Sequence, residues 1–240
     1  MNQPQDDLVL WSDDSLLIVD KPAGLLAIRG GFDDSPYLTG LLEPTFGRVW
    51  VVHRLDRQTS GVLVLARTAA AHRALNTQFQ EHTVRKTYHA LTNGSPSWET
   101  HTVSLALRKD GDRRHRTVID SARGKPSVTH LRVLERFAAH TLLEAIPETG
   151  RTHQIRAHLA AIGLPIVGDA LYHGGQALRL ADVAPDAKET ERCQEILIAR
   201  VALHALRLQI AHPITGDPLV FEAPYPTDLA VTLRHLGAQG

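Results

Sequence analysis

Val62-Leu63-Val64-Leu65-Ala66 sets five apolar residues in an unbroken row directly after the small residues Thr59-Ser60-Gly61. Such a row, bounded by turn residues, reads as a buried strand, and a buried strand needs a sheet around it. Strand patterns recur at residues 8–11 and 16–20, separated by Ser12-Asp13-Asp14-Ser15, and the second is broken by Lys21-Pro22-Ala23-Gly24. Further strands are expected at 49–52, at 87–91 before Asn93-Gly94, at 128–134 and at 141–146. Helical spacing predicts a short helix after Ser35-Pro36. A second is expected over 69–82, capped by Thr68, with Ala70, Ala74, Leu75 and Phe79 on its apolar face. A third is expected over 152–162, with Ile155, Leu159 and Ile162 facing one way and Gly163 as its stop. Residues 174–195 have weak periodicity and read as a surface excursion. Strands outnumber helices and do not alternate with them, so a mixed α+β fold is expected: a mainly antiparallel sheet with flanking helices. No repeat, low-complexity tract or linker marks a boundary, and residues 1–240 are expected to form a single domain.

The loop feeding that strand is chemically the densest part of the chain. In His53-Arg54-Leu55-Asp56-Arg57-Gln58-Thr59-Ser60-Gly61 a carboxylate is bracketed by two guanidinium groups. Flanking guanidinium charge favours the ionised form of a carboxylate and leaves positive charge over for an anionic ligand. A surface salt-bridge cluster is the alternative reading of the same spacing. The charge distribution points to a polyanion. Net charge is zero, yet residues 1–47 carry eight acids and two bases, whereas residues 48–158 carry eighteen bases and nine acids. Bases thus concentrate around Asp56, with the most basic loop at 109–116, which includes Arg113 and Arg114.

Other chemistries fit poorly. Cys193 is the single cysteine, which excludes an internal disulfide and a Cys-based zinc site. His153 and His158 are five apart, not four, and there is no HExxH, so no metal is expected. Ser60 lacks the GxSxG context of a nucleophile elbow. Apolar content of 43% and charged content of 22% are ordinary for a soluble globular chain. No apolar run is long enough to span a membrane, and the first residues lack a signal-peptide pattern. A cytoplasmic protein, acting as a monomer without membrane contact, is expected.

Five blocks then fall in a telling order: residues 17–25 (LIVDKPAGL), 53–61 (HRLDRQTSG), 86–90 (KTYHA), 150–159 (GRTHQIRAHL) with Gly163 and Pro165-Ile166-Val167-Gly168-Asp169, and Leu203-His204-Ala205 with His212-Pro213. Together they resemble the RluA family of RNA pseudouridine synthases. The first block begins near residue 16, so the resemblance is closest to short members without an N-terminal RNA-binding domain, and target selection is expected to rest on the catalytic domain itself.

The resemblance implies that family's catalytic fold and an isomerase that turns specific uridines of ribosomal RNA, transfer RNA or both into pseudouridine. Its partner would be an RNA stem-loop, with no guide RNA. No atom is gained or lost in the reaction, so no cofactor is implied. Asp56 corresponds to the essential aspartate, acting as nucleophile on the ribose or as the base that removes a ribose proton. Arg156 corresponds to the arginine paired with it, where a planar fork can orient a carboxylate as Lys cannot. Tyr88 corresponds to the tyrosine that packs on the base. Arg54 is a candidate wedge for the space left by a flipped uridine, or a phosphate contact. Arg57, Arg151, His153, Arg113 and Arg114 are expected RNA contacts, as is Lys21, for which a structural role is the alternative. A catalytically inactive RNA-binding protein of the same fold is the competing function.

Overall fold

A computed structural model describes residues 6–30, 35–183 and 194–238; Cys193 and residues 184–193 of the expected excursion lie outside them. The chain divides into two compact units, Met1–Thr87 with His204–Pro224, and Tyr88–Leu203 with Tyr225–Gly240.

The first unit opens with the antiparallel strands β1 (Val9–Ser12) and β2 (Leu16–Lys21). Their turn is closed by the Asp13 carboxylate, which accepts the N–H groups of Ser15 and Leu16. α1 (Leu38–Phe46), β3 (Trp50–Val51), β4 (Ser60–Ala66) and α2 (Ala69–Gln80) follow. β4 is buried along its whole length and pairs antiparallel with β2 and β3. Leu16, Leu17, Ile18 and Val19 of β2 are equally inaccessible, so both strands read as continuous apolar runs rather than alternating ones. Thr68 caps α2 as expected, its hydroxyl accepting the Ala71 N–H at 3.1 Å. The helix stops two residues short of the expected end, because His82 takes a left-handed φ of 58°. Its buried stripe is Ala71 and Leu75, and Ala70 is exposed.

β5 (Arg85–Asn93) carries the chain into the second unit. There β6 (Thr100–Ser104), β7 (Leu107–Arg108), β8 (Val118–Ile119), β9 (Val128–Arg136), β10 (His140–Pro147) and α3 (Gln154–Ala161) follow. The sheet of this unit has the order β5-β10-β9-β6, antiparallel throughout. β7 and β8 form a separate hairpin whose connection is the basic 109–117 segment. β11 (Leu178–Arg179), α4 (Leu180–Val183) and β12 (Ile196–Ile198) correct the surface-excursion reading at its flanks. β11 pairs with β12, and Leu178, Leu180, Val183, Leu197 and Ile198 enter the core around Leu91, Leu143, Leu159 and Ile166. α3 starts two residues later than expected, since His153 is left-handed at φ 53°. Gly163, at φ +78°, ends the turn after it.

β13 (Leu203–Ala211) returns the chain to the first unit beside β4. This is a parallel pairing through His204↔Ser60 and Ala205↔Gly61. β14 (Pro218–Glu222) then pairs antiparallel with β13, and α5 (Thr227–Gly237) belongs to the second unit, with Leu229, Thr232 and Leu236 inward. The expected α+β class with a mainly antiparallel sheet is what the chain builds. No helix among the described residues is long and apolar enough to cross a membrane.

Candidate active site

Asp56 lies half-buried in the loop between β3 and β4, and its carbonyl accepts the Thr59 N–H at 3.1 Å, closing a tight turn. That turn is strapped to the Lys21-Pro22-Ala23-Gly24 bend. The Arg57 carbonyl accepts from Gly24 N at 2.7 Å and from Lys21 Nζ at 3.3 Å, while Arg57 Nε donates to the Gly24 carbonyl at 2.9 Å. Lys21 also donates to the carbonyls of Pro22 and Leu25, at 2.7 and 2.9 Å, and its side chain is wholly inaccessible.

This burial corrects the expected RNA contact at Lys21: an ammonium enclosed by backbone carbonyls cannot meet a phosphate. It instead fixes the bend against the Asp56 turn. Lys21→Met should therefore leave the salt dependence of RNA binding unchanged and destabilise the fold by about 3 kcal/mol, since hydrogen bonds from a charged donor are lost and buried carbonyls orphaned. Urea unfolding measures this; an unchanged midpoint would contradict the role.

Two further clamps set the end of the loop. Ser60 Oγ lies 3.0 Å from His204 Nδ1, and His204 Nε2 lies 3.1 Å from the Ala223 carbonyl; both side chains are buried. A carbonyl only accepts, so Nε2 carries the proton and the serine donates to Nδ1. The Leu203-His204-Ala205 block is thus a brace for the strand that leaves the Asp56 loop. At the loop's other end, His53 Nε2 accepts the Val64 N–H at 3.1 Å while the ring stacks on Phe79 with centroids 4.7 Å apart. Burial, with the Lys86 ammonium as a smaller cause, pushes this imidazole down to about 3, which keeps the accepting nitrogen unprotonated.

The second unit carries Tyr88 and Arg156. Tyr88 is half-buried on β5 opposite Ala145 and packs on the core of its unit; the neighbouring His89 bonds the Tyr225 hydroxyl. Arg156 is buried in α3 and makes a fork with Asp169, Nε to Oδ2 at 2.7 Å and Nη2 to Oδ1 at 2.9 Å. Asp169 is 1% exposed, so this pair is a buried, two-bond ion pair rather than a surface contact. Gln154 pins the start of the same helix. Its Oε1 accepts from Thr149 Oγ1 and Arg151 N, and its Nε2 donates to the Val128 carbonyl and Thr129 Oγ1. His158 spans Thr129 Oγ1 and the Leu105 carbonyl.

Of the expected RNA contacts, Arg54, Arg57, Arg113, Arg114 and Arg151 are exposed. His153 is not: it is half-buried, its Nδ1 3.2 Å from the Tyr172 hydroxyl. Arg113 and Arg114 sit at the tip of a loop built on Asp112, whose carboxylate accepts from Arg114 N, Arg116 N and Arg116 Nε. Sequence reasoning assigned no role to Asp169, Gln154 or Tyr172. The signal for Asp169 was its place in the fourth block, close to Arg156 in sequence but with no helical spacing to reveal the contact.

The description of a protein family, RNA pseudouridylate synthase, matches residues 15–161, which is more than half of the chain. Ribosomal large subunit pseudouridine synthase D of Xanthomonas campestris is 43% identical over 92% of this chain and 66% of its own length. The protein of that name from Neisseria meningitidis is 38% identical over 92% of this chain and 59% of its own, and that from Zymomonas mobilis is 34% identical over 98% and 75%. This chain therefore spans about three fifths of the length of the Neisseria meningitidis relative. Among solved structures, human RNA pseudouridylate synthase domain containing 4 superposes with a TM-score of 0.77 at 25% identity, covering 97% of this chain and 95% of that one. Human RNA pseudouridylate synthase domain containing 1 gives 0.71 at 27% identity, over 94% and 86%.

Proposed function

Because this chain belongs to the RNA pseudouridylate synthase family, we propose that it is an isomerase converting chosen uridines of ribosomal RNA into pseudouridine. The observation that carries the reading is that the family match over 15–161 spans Asp56, Tyr88 and Arg156 together. The names of the relatives favour ribosomal RNA over transfer RNA as the substrate.

The reaction breaks the bond between ribose C1′ and uracil N1, turns the base, and joins C1′ to C5; C5 loses a proton and N1 gains one. A glycosidase needs a second carboxylate to direct water, whereas an isomerase keeps its leaving group and must keep water out. One essential carboxylate suffices, and Asp56 is that group, as nucleophile or as base. The bend at Lys21–Gly24 supports this by fixing Arg57, the residue directly after it. Arg156 is its guanidinium partner. Tyr88 packs on the uracil ring and assists in moving the C5 proton.

The substrate is a uridine in a stem-loop, where the stack is already interrupted and extrusion costs least. Arg54, Arg57, Arg113, Arg114 and Arg151 contact its backbone, and no guide RNA or cofactor takes part. Affinity should consequently fall steeply with salt although net charge is zero. Each phosphate neutralised contributes about −0.7 to −0.9 to the slope of log affinity against log salt. Reversing Arg113 and Arg114 to Glu should flatten that slope, and a salt-independent affinity would contradict the footprint. Mapping pseudouridine in ribosomal and transfer RNA from cells with and without the protein tests the function. A ribosomal site lost with the protein is the expected result; unchanged maps, with the RNA still bound, would favour an inactive RNA-binding protein.

A further inference from the structure

Tyr172 is buried where two features of the second unit meet, the Arg156–Asp169 pair and the basic loop. The Arg156 guanidinium carbon stands 5.1 Å from its ring centroid and that of Arg116 stands 6.0 Å from it. Its hydroxyl accepts the Thr117 N–H at 2.9 Å and donates to the Thr117 carbonyl at 3.0 Å. His153 Nδ1 is 3.2 Å away. A phenol has one donor and two acceptor sites, so all three bonds form together when His153 carries its proton on Nδ1. Burial raises the Tyr172 hydroxyl above its ordinary range, and the group therefore keeps the proton it donates.

The loop is fastened at the same place from its other side. Arg116 donates through Nη1 to the Leu171 carbonyl at 3.2 Å and through Nε to Asp112 at 2.6 Å. Asp112, held below the usual carboxylate range chiefly by that Arg116 bond, also organises the backbone that carries Arg113 and Arg114. Gly111 N and the Arg116 carbonyl close the loop's neck at 2.7 Å. One side chain thus meets the Arg156 guanidinium and, at a longer distance, that of Arg116 with its ring, and holds both backbone groups of Thr117 and the His153 imidazole with its hydroxyl.

We propose that Tyr172 is a positioning residue with two separable duties: its hydroxyl docks the 111–117 loop that meets RNA, and its ring carries the Arg156 guanidinium. The inference rests on the reading of Arg156 as the partner of Asp56 and of the loop as an RNA contact. It deepens that reading by predicting that the two duties separate in kinetics. Tyr172→Phe keeps the ring and removes the hydroxyl, so it should raise KM for RNA by about tenfold, equivalent to ~1.4 kcal/mol, with kcat nearly unchanged. Tyr172→Leu removes both and should lower kcat as well.

A readout independent of activity is tryptic cleavage after Arg113 and Arg114. Cleavage of a locally opened loop follows its open population, so Tyr172→Phe should be cut about tenfold faster there than the wild type. Arg116→Gln, which releases the loop from Leu171 and Asp112 without removing the phenol, should show the same cleavage and serves if the phenylalanine variant fails to fold. Cleavage at the wild-type rate in both variants would overturn the docking duty. A leucine variant with the kinetics of the phenylalanine one would overturn the ring's duty. Absence of pseudouridine formation by the wild type would instead defeat the functional reading, and the proteolysis would still decide the docking.

Discussion

Asp56→Asn should reduce pseudouridine formation to background while RNA affinity stays within about tenfold, ~1.4 kcal/mol. Asparagine keeps the size and hydrogen-bonding outline of the side chain but can neither attack a ribose carbon nor take a ribose proton. The loop itself should persist, because the bonds that hold it run through the carbonyls of Asp56 and Arg57 and the side chains of Lys21 and Arg57, not through the Asp56 carboxylate alone. Unchanged affinity with lost turnover is the signature of an interaction realised only on the way to the transition state. Near-wild-type turnover by a purified variant free of deamidation would remove Asp56 from the chemistry.

The largest structural effect is expected at Gly61. Its φ is +116°, outside the range of ordinary side chains, and a Cβ there would stand 2.2 Å from the Ala205 carbonyl oxygen and 2.7 Å from the carbonyl carbon. The neighbour is backbone held in the parallel β4–β13 pairing, so it cannot turn aside as a flexible side chain would. Gly61→Ala combines backbone strain with overpacking and should cost about 3 kcal/mol or more. Urea unfolding of the variant reads this directly, and an unchanged midpoint would mean that β4 and β13 do not meet this closely.

Much of this could be read from the sequence where the physics is local. The β4 row, the β1–β2 turn on Asp13 and the Thr68 cap each depend on neighbours in the chain. Helix ends were less legible because the left-handed turns at His82 and His153 carry no glycine to announce them. β13 was read only through a terminal motif and α5 was not read at all, although Leu229, Thr232 and Leu236 show helical spacing. Long-range partners were hidden. Nothing in sequence spacing says that His204 braces Ser60, that Arg156 forks onto Asp169, or that Lys21 points inward at carbonyls. For Lys21 the error followed from reading charge as exposure. A Lys at the end of a strand is usually solvated, but here the carbonyls of Pro22, Leu25 and Arg57 around its ammonium reverse that.

We propose that this chain breaks and remakes a glycosidic bond in RNA using Asp56. Ribosomal RNA transcribed with tritium at uracil C5 reports on it without further assumption, since C5 must give up its hydrogen when it bonds to the ribose. Incubated with the wild-type protein, the RNA should release tritium to water until the modified sites are exhausted, and with Asp56→Asn it should release none. Binding of the RNA by the wild type with no tritium released, or equal release by both proteins, would contradict the claim.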